Sequence, residues 1–211
     1  MLTRRLQRVY PQCRWRRQPL ALCPDPSRRQ AQARETHQAA LGGAHALFLA
    51  QGYGGTTIAD VAAAAGISAE TVYGAFGNKA ALLHRVWDVT IGGDDQEVMF
   101  HERPEVQALR AEPDLAKRLT MHAALATRTA RRIGPFLLMV QAASGNEPAA
   151  ASMLAEMDAQ RYRGLGFMAR EAAATGQLTV SQQECRDLMW ATTDGVLWHR
   201  LVVERDWSDK R

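Results

Sequence analysis

The sequence lacks the features that would place it in a membrane or in a disulfide-rich class. Its 211 residues contain no run of about 18 apolar residues, so no membrane span is predicted. Its three cysteines, Cys13, Cys23 and Cys185, are an odd number without metal-ligand spacing or a framework that would pair them. A reduced, cytoplasmic compartment is therefore expected. An apolar content of 46% is nevertheless enough to bury a core.

Motifs of catalysis are also missing. The chain shows no nucleophile elbow, no phosphate-binding loop, no His/Cys set at metal-ligand spacing and no paired carboxylates on one helix face. The pairs His101-Glu102 and Asp94-Asp95 fall in loop-like sequence and are interpreted as solvated. We therefore predict no catalytic residue, no cofactor and no metal site. An enzyme is an alternative interpretation, which turnover of a substrate by the purified protein would support.

Positive charge is concentrated at the N-terminus. The formal net charge is +4, but residues 1–35 hold nine Arg against two acidic residues, a balance of +7. The rest of the chain carries 17 basic and 20 acidic side chains, a balance of −3. Residues 1–26 include four prolines and show no sustained period, so they are predicted to form a disordered basic extension. A DNA-contacting arm and a tail with no selected role are both open interpretations.

After this extension the pattern is helical throughout, and the predicted fold is all-α with about nine helices. Ser27 and Gln30 form a capping-box pair at the start of the first helix. The predicted helices run over 27–51, from Thr57, from Ser68, over 78–91, from Pro104, from Pro113 to about 133, over 136–143, over 148–175 and over 181–205. The glycine pair Gly92-Gly93 divides the helical region into two parts, 27–91 and 92–211.

The most informative stretch is TTIADVAAAAGISAETVYGAFGNKAALL at residues 56–83, which predicts a helix-turn-helix. Thr57 with Asp60 and Ser68 are N-caps of two short helices. Gly66 stands where the first of them must end in a left-handed conformation. The apolar and small positions that let two such helices cross closely are Val61, Ala62, Ala65, Gly66, Ile67, Val72 and Ala75.

These residues resemble the DNA-binding signature of the TetR family of transcriptional regulators. The resemblance rests on TTIADVA, AGISAETVY and the series Phe76, Lys79, Leu82 and Leu83, and it covers roughly residues 27–95. It implies a dimeric, ligand-responsive repressor that binds double-stranded operator DNA. Relatives often carry a basic residue where this chain has Ala59 and Ala69, which implies weaker phosphate anchoring here.

Predicted DNA contacts fall into two groups. Thr56, Thr57, Ser68, Tyr73 and Lys79 are expected to bind phosphates and to fix the register. Ala69, Glu70 and Thr71, at the exposed start of the second short helix, are expected to meet base edges. Glu70 has two open interpretations, acceptance from cytosine N4 or simple stabilisation of the helix start. Arg28, Arg29 and Arg34 either reach DNA or form a solvated helix end.

The resemblance implies that 27–91 is a DNA-binding head and that 92–211 is a helical regulatory and dimerisation domain. Its helices would supply both a dimer interface and an effector pocket. The apolar positions expected to be divided between the monomer core and the partner are Leu165, Met168, Leu188, Val196, Leu197 and Leu201. Pocket candidates are His122, Met139, Met153, Met157, Trp190 and Asp194, each of which also fits an ordinary core position. The expected effector is an apolar small molecule.

A second rival is a TetR-like helical adaptor with weak or no DNA binding. Residues 56–90 contain only Lys79 and Arg85 against Asp60, Glu70 and Asp88. Because non-specific affinity for DNA depends on positive charge, this head is electrostatically weak by itself. Salt-dependent DNA binding distinguishes the regulator from the adaptor.

Overall fold

A computed structural model describes residues 26–93 and 98–208, and its described residues are helical without a strand. The all-α prediction is confirmed. The α-helices are α1 (Pro26–Gly55), α2 (Ile58–Ala65), α3 (Ala69–Phe76), α4 (Lys79–Gly92), α5 (Pro104–Ala111), α6 (Leu115–Ser144), α7 (Pro148–Ala174), α8 (Gln182–Thr192) and α9 (Val196–Trp198), with a 3-10 turn at Phe100–Glu102 and a π-helical turn at His199–Val203.

The chain forms two compact units, Met1–Glu35 and Thr36–Arg211. Of the first unit only the start of α1 is described, and residues 1–25 of the predicted basic extension lie outside the described residues. The second unit contains both the helix-turn-helix and the C-terminal helices. The predicted division into 27–91 and 92–211 stays a prediction about function.

One apolar core joins the helix-turn-helix region to the C-terminal helices. Side chains from α1 to α4 and from α6 and α7 belong to the same buried cluster. Leu82 and Leu83 of α4 are completely buried in it, as is Phe136 of α6. The Trp87 ring lies 6.2 Å from the Phe136 ring, centroid to centroid. The head therefore has no separate interior.

The prediction that α6 breaks at Gly134-Pro135 is wrong. Leu115–Ser144 is one continuous helix with Pro135 inside it. Proline removes one helical hydrogen bond and costs about 3 kcal/mol in a helix interior. Burial outweighs that cost, because Ile133, Phe136 and Val140 stay on the core face only when the helix continues in register.

The last predicted helix, 181–205, is interrupted. Its start is confirmed, since Ser181 and Glu184 form a complete capping box, but α8 ends at Thr192. Gly195 then takes a φ of +85°, which other residues adopt at a cost. The Asp194 carboxylate accepts hydrogen bonds from the Val196 N–H at 2.9 Å and the Leu197 N–H at 3.3 Å. Asp194 thus caps α9.

Within the described residues, none of the helices is long and apolar enough to cross a membrane.

Truncating a leucine in the shared core tests whether the two regions unfold together. Leu83→Ala is expected to lower the free energy of unfolding by about 2–5 kcal/mol, because the site is fully buried. Leu49→Ala, at a leucine that is 40% exposed on α1, is the matched control and should cost much less. Urea unfolding followed by fluorescence and by circular dichroism should give coincident transitions. Separate transitions in the Leu83 variant would contradict a shared core.

Candidate nucleic-acid interface

The start of α2 is held by a complete capping box. The Thr57 hydroxyl accepts from the Asp60 N–H at 3.1 Å, and the Asp60 carboxylate accepts from the Thr57 N–H at 2.8 Å and from its hydroxyl at 2.7 Å. These hydrogen bonds lower the pKa of Asp60 below its usual value. Both residues are exposed. The N-terminus of α2 is therefore a rigid, solvent-facing group of backbone donors of the kind that binds phosphate.

The turn between α2 and α3 has the predicted geometry. Gly66 adopts φ +66° and ψ +32°, and its N–H donates to the carbonyls of Ala62 and Ala63. Ser68 then caps α3 by accepting from the Thr71 N–H at 3.2 Å. Val72 is completely buried, and Ile67 packs against the same core. α3 is thereby anchored by its inner face.

One of the predicted crossing positions is wrong. Ala75 is exposed, so it is not a buried position between α2 and α3. Phe76 occupies that end of α3 instead, with its ring 4.5 Å from the His37 ring of α1. A bulky ring reaches a neighbouring helix that a methyl group cannot.

The outer face of α3 and the start of α2 form one set of accessible side chains, which we call the recognition surface. It consists of Thr57, Ser68, Ala69, Glu70, Thr71 and Tyr73. Ala69 is half-buried and the others are exposed, with Tyr73 at 54%. Gly74 lies beside them, and a methyl group there would meet nothing within 4 Å. The surface is open enough for a duplex to approach.

Glu70 is tied to its own helix start. Hydrogen bonds from its own backbone N–H and from the Ser68 hydroxyl lower the pKa of its carboxyl. This arrangement supports the helix-stabilising interpretation of the residue. The carboxylate remains exposed, so its predicted contact with a cytosine stays a prediction.

Thr56 does not belong to the recognition surface. The side chain is buried, with 1% of its area exposed, and its hydroxyl donates to the Gly52 carbonyl at 2.9 Å. The predicted phosphate contact through this hydroxyl is wrong, because the group is inside the protein and already bonded. The residue instead closes the turn that leads from α1 to α2.

Lys79 is also engaged within the protein. Its ammonium donates to the Tyr53 carbonyl at 3.0 Å and to the Thr56 carbonyl at 3.2 Å. It also lies 4.1 Å from the centroid of the Tyr53 ring, a cation–π distance. The ammonium has a third N–H donor beyond these two, so its predicted contact with a phosphate stays a prediction.

The three predicted arginines of the N-terminal region, Arg28, Arg29 and Arg34, lie in the first compact unit. All three are exposed on the described start of α1. Their approach to DNA stays a prediction.

The six predicted pocket residues do not converge on one site. Met153 and Met157 are buried in the shared core, and Met139 packs against it. Trp190 lies on α8, where its indole N–H donates to the Asp158 carboxylate at 2.9 Å. Asp194 caps α9, as described above. The general preference of methionine and tryptophan for packed positions accounts for this dispersal.

His122 is the candidate that lines a cleft. The cleft lies between α5, α6, α7 and α8, and burial lowers the pKa of this histidine, which favours the neutral imidazole. Its interior of about 10 Å³ holds roughly one water molecule. The residues around His122 are Leu109, Leu115, Arg118, Leu119, Met168, Glu171, Ala172 and Met189. Most of these lining residues are apolar. The sequence analysis predicted only His122 among them as a pocket residue.

In the described residues, no group of three or more His, Cys, Asp or Glu side chains is placed to hold a metal ion.

Several of the predicted interface positions expose apolar area on the C-terminal helices. Leu188 is 60% exposed and Leu197 is 38% exposed, whereas Leu165 is buried within the chain. Met168, Val196 and Leu201 are half-buried. Phe167, at 56% exposure, and Val203, at 52%, were not predicted. They were missed because sequence alone does not show which face of these predicted helices packs inside the chain and which is exposed.

Comparison with known proteins supports the interpretation drawn from the helix-turn-helix. Residues 40–86 match the model of a family described as bacterial regulatory proteins, tetR family. The fold is similar to the crystal structure of a protein named as the putative transcriptional regulator from Pseudomonas aeruginosa PAO1, with a TM-score of 0.62. The identity is 17%, over 90% of this chain and 86% of that chain, so this likeness concerns the fold alone. A search of curated proteins gives no match.

The capping box predicts a specific pH dependence. Because the pKa of Asp60 is lowered in the folded state, its stabilisation is present above the unfolded pKa, about 3.8, and is lost as the pH falls through the folded pKa. Thr57→Ala should return the Asp60 pKa towards its ordinary value, measured by NMR titration of the carboxyl carbon. Glu184, whose pKa is lowered by the separate box with Ser181, is the internal control and should not change. An unchanged Asp60 titration would contradict the assignment.

Proposed function

Starting from a TetR-type regulator, as the match over residues 40–86 indicates, we propose that the protein is a ligand-responsive repressor that binds operator DNA as a homodimer. Binding would occur through the helix-turn-helix at 57–76. The observation that supports this most directly is the recognition surface. Its side chains point outward, while Val72 of α3 and Ile67 just before α3 pack against the core.

The contacts with DNA would divide by position on the surface. The N-termini of α2 and α3 present first-turn N–H groups and the positive end of the helix dipole to phosphates. The Tyr73 hydroxyl adds a phosphate donor. Thr71 and Glu70, at the start of α3, would lie in the major groove, where a methyl group meets thymine and a carboxylate accepts from cytosine. Ala69 leaves room for this approach.

A dimer is required by the weak charge of a single head. Residues 56–90 carry two basic and three acidic side chains, so one head neutralises few phosphates. Two heads joined at a spacing of about 34 Å would read successive major grooves on one face of the duplex. The exposed apolar side chains of the C-terminal helices, Phe167, Leu188, Leu197 and Val203, supply the kind of surface that pairing would bury.

Effector binding is proposed at the cleft beside His122. The cleft is mainly apolar, with a neutral histidine, the Arg118 guanidinium and Glu171 as polar residues, which suits a small apolar molecule carrying a hydrogen-bonding group. In this conformation it holds only about a water molecule, so an effector must widen it. A ligand that prefers the widened form would shift the conformational equilibrium by its differential affinity. Typical coupling of this kind is about 1–3 kcal/mol.

The adaptor remains the second candidate function. It is supported by the same charge count and by the internal hydrogen bonds of Lys79, which leave residues 56–90 with little free positive charge. The two proposals differ in one measurable property. An adaptor would show no salt-dependent affinity for DNA at low ionic strength, whereas the regulator would.

Selection of bound sites from random DNA tests the proposed function. The regulator should enrich an inverted repeat, because a symmetric dimer presents two identical heads. Its affinity for the selected site should be measured by fluorescence anisotropy at several salt concentrations. The logarithm of the association constant should fall linearly with the logarithm of the salt concentration. Enrichment of no sequence, together with no binding at low salt, would favour the adaptor.

Two substitutions on the recognition surface should separate positioning from reading. Tyr73→Phe is expected to weaken binding by a similar factor on all sequences, by about 0.5–1.5 kcal/mol per head, because it removes a phosphate hydrogen bond. Glu70→Gln should change the order of preference among operator variants. Tyr162→Phe, on α7, is the matched control and should bind like the wild type. A changed base preference in the Tyr73 variant would show that these roles are assigned wrongly.

A further inference from the structure

The cleft beside His122 has two charged residues in its wall, Arg118 of α6 and Glu171 of α7. The Glu171 carboxylate is already paired with Arg110 of α5. The Arg110 Nε–H donates to its two oxygens at 2.9 and 3.2 Å, and Nη2 donates to one of them at 2.5 Å. The Glu171 side chain is 27% exposed, so this ion pair lies at the solvent edge of the cleft. Its negative charge is therefore neutralised within the protein.

The Arg118 guanidinium, in contrast, bonds only to backbone carbonyls within the described part of the chain. Its Nε–H and one Nη2–H donate to the Glu112 carbonyl, the former at 2.8 Å, and one Nη1–H donates to the Glu171 carbonyl at 3.3 Å. Each terminal nitrogen carries a further N–H, and neither of these has an acceptor among the described residues. The positive charge is thus oriented by the protein without a carboxylate bonded to it.

The two carbonyls also give this arginine a structural role. Glu112 is the C-cap of α5, and Glu171 lies in the last turn of α7. Carbonyls at such positions carry the negative end of a helix dipole and stabilise a cation. A carboxylate is a stronger partner, because it can accept from both terminal nitrogens of a guanidinium at once. The bond to Glu171, at 3.3 Å, is longer than usual and is the contact that such a partner would replace.

The remainder of the wall is apolar. Leu109, Leu115 and Ala172 are buried, and 9% of Met189 is exposed. His122 adds no charge, because burial lowers its pKa and keeps the imidazole neutral. An apolar interior therefore lies beside one positive charge that has no carboxylate partner in the described structure. A ligand complementary to both has an apolar body and a single negative charge.

We propose that the effector is a monocarboxylic acid with an apolar body, whose carboxylate binds Arg118 and whose body enters the cleft beside Met168 and Met189. This inference rests on the proposed function, since it names the chemical class of the effector at the site proposed there. Arg118 is half-buried, which limits the cost of removing the acid from water. Replacing the Arg118–Glu171 bond would also loosen α6 from the end of α7, as an effector that must widen the cleft requires.

Three probes of equal chain length separate the charge of the head group from apolar burial. Octanoate, 1-octanol and octylammonium are titrated at neutral pH into the full-length protein carrying methyl-labelled methionine, followed by NMR. Octanoate should shift the Met168 and Met189 signals, whereas Met153, in the shared core, should shift less. Octanoate should bind about ten-fold more tightly than 1-octanol, the size expected for a charge-assisted hydrogen bond, and octylammonium more weakly than either. Equal affinity of the acid and the alcohol, or no shift at Met168 and Met189 with millimolar octanoate, would overturn the proposal.

Removing the charge of Arg118 should remove the preference for the acid. Arg118→Gln is expected to lower the affinity for octanoate about ten-fold and to leave that for 1-octanol unchanged. Arg128→Gln, at an exposed arginine further along α6, is the matched charge deletion and should keep the wild-type preference. An equal loss for both probes in the Arg118 variant would mean that this residue only supports the helix ends, and would overturn the proposal.

Glu171→Gln tests the same charge balance in the opposite direction. The amide no longer neutralises Arg110, while the Glu171 backbone carbonyl stays in place. The affinity for octanoate relative to 1-octanol should therefore rise about two- to five-fold, the range for a partly exposed charge contact. Where Arg118→Gln is poorly folded, this variant decides the question, and an unchanged or lower ratio would contradict the proposed charge pairing.

The response of DNA binding is a separate measurement. If octanoate binds with this selectivity but the protein binds no selected DNA, or its affinity for DNA is the same with and without the acid, the proposed ligand-responsive repressor fails and the carboxylate site stands. If DNA binding is salt-dependent and responds to an uncharged compound while octanoate does not bind, the proposed function stands and the carboxylate site fails.

Discussion

The buried contact of α4 with α6 is the constraint on which the rest of the structure depends. α4 contributes Leu82, Leu83, Val86 and Trp87 to a core that also contains Phe136 and Val140 of α6. The end of α4 is held as well, because the Arg132 guanidinium donates to the Thr90 and Ile91 carbonyls at 2.7 and 2.6 Å. A helix fixed along its length and at its end cannot act as a loose tether. In the proposed ligand response, a movement of α6 would reach the helix-turn-helix through this packing.

Local sequence predicted the starts of α2 and α8 and the turn at Gly66, because each of these depends on neighbouring residues. The capping boxes at Thr57 and Ser181 form as expected, and Gly66 takes the left-handed conformation that its position requires. Each of these signals involves residues within four positions of one another, so no tertiary information is needed. The exposed face of α3 followed for the same reason, since burying Val72 leaves the opposite face in solvent.

The errors arose where core packing or a kink, rather than a local capping signal, decides the outcome. Pro135 reads locally as a helix break, and only the buried face of α6 shows why the helix continues. Thr56 reads as a free polar group beside a DNA-binding motif, but the kink at the end of α1 places the Gly52 carbonyl where its hydroxyl donates to it. Periodicity does not specify where such a kink directs its carbonyls, so the burial of this hydroxyl was not predictable from the sequence.

A weakly charged head on a rigid core has a consequence for affinity. With two basic side chains over residues 56–90, this segment gains little from counterion release, so the proposed binding to DNA depends on two heads acting together. The effective concentration of the second head depends on how well its position matches the second half-site. Because packing rather than a linker fixes that position, a displacement of a few ångströms in the C-terminal helices would remove the benefit of the second head. In the proposed dimer, the affinity for DNA would therefore depend more strongly on the conformation of the C-terminal helices than it would if each head were strongly basic.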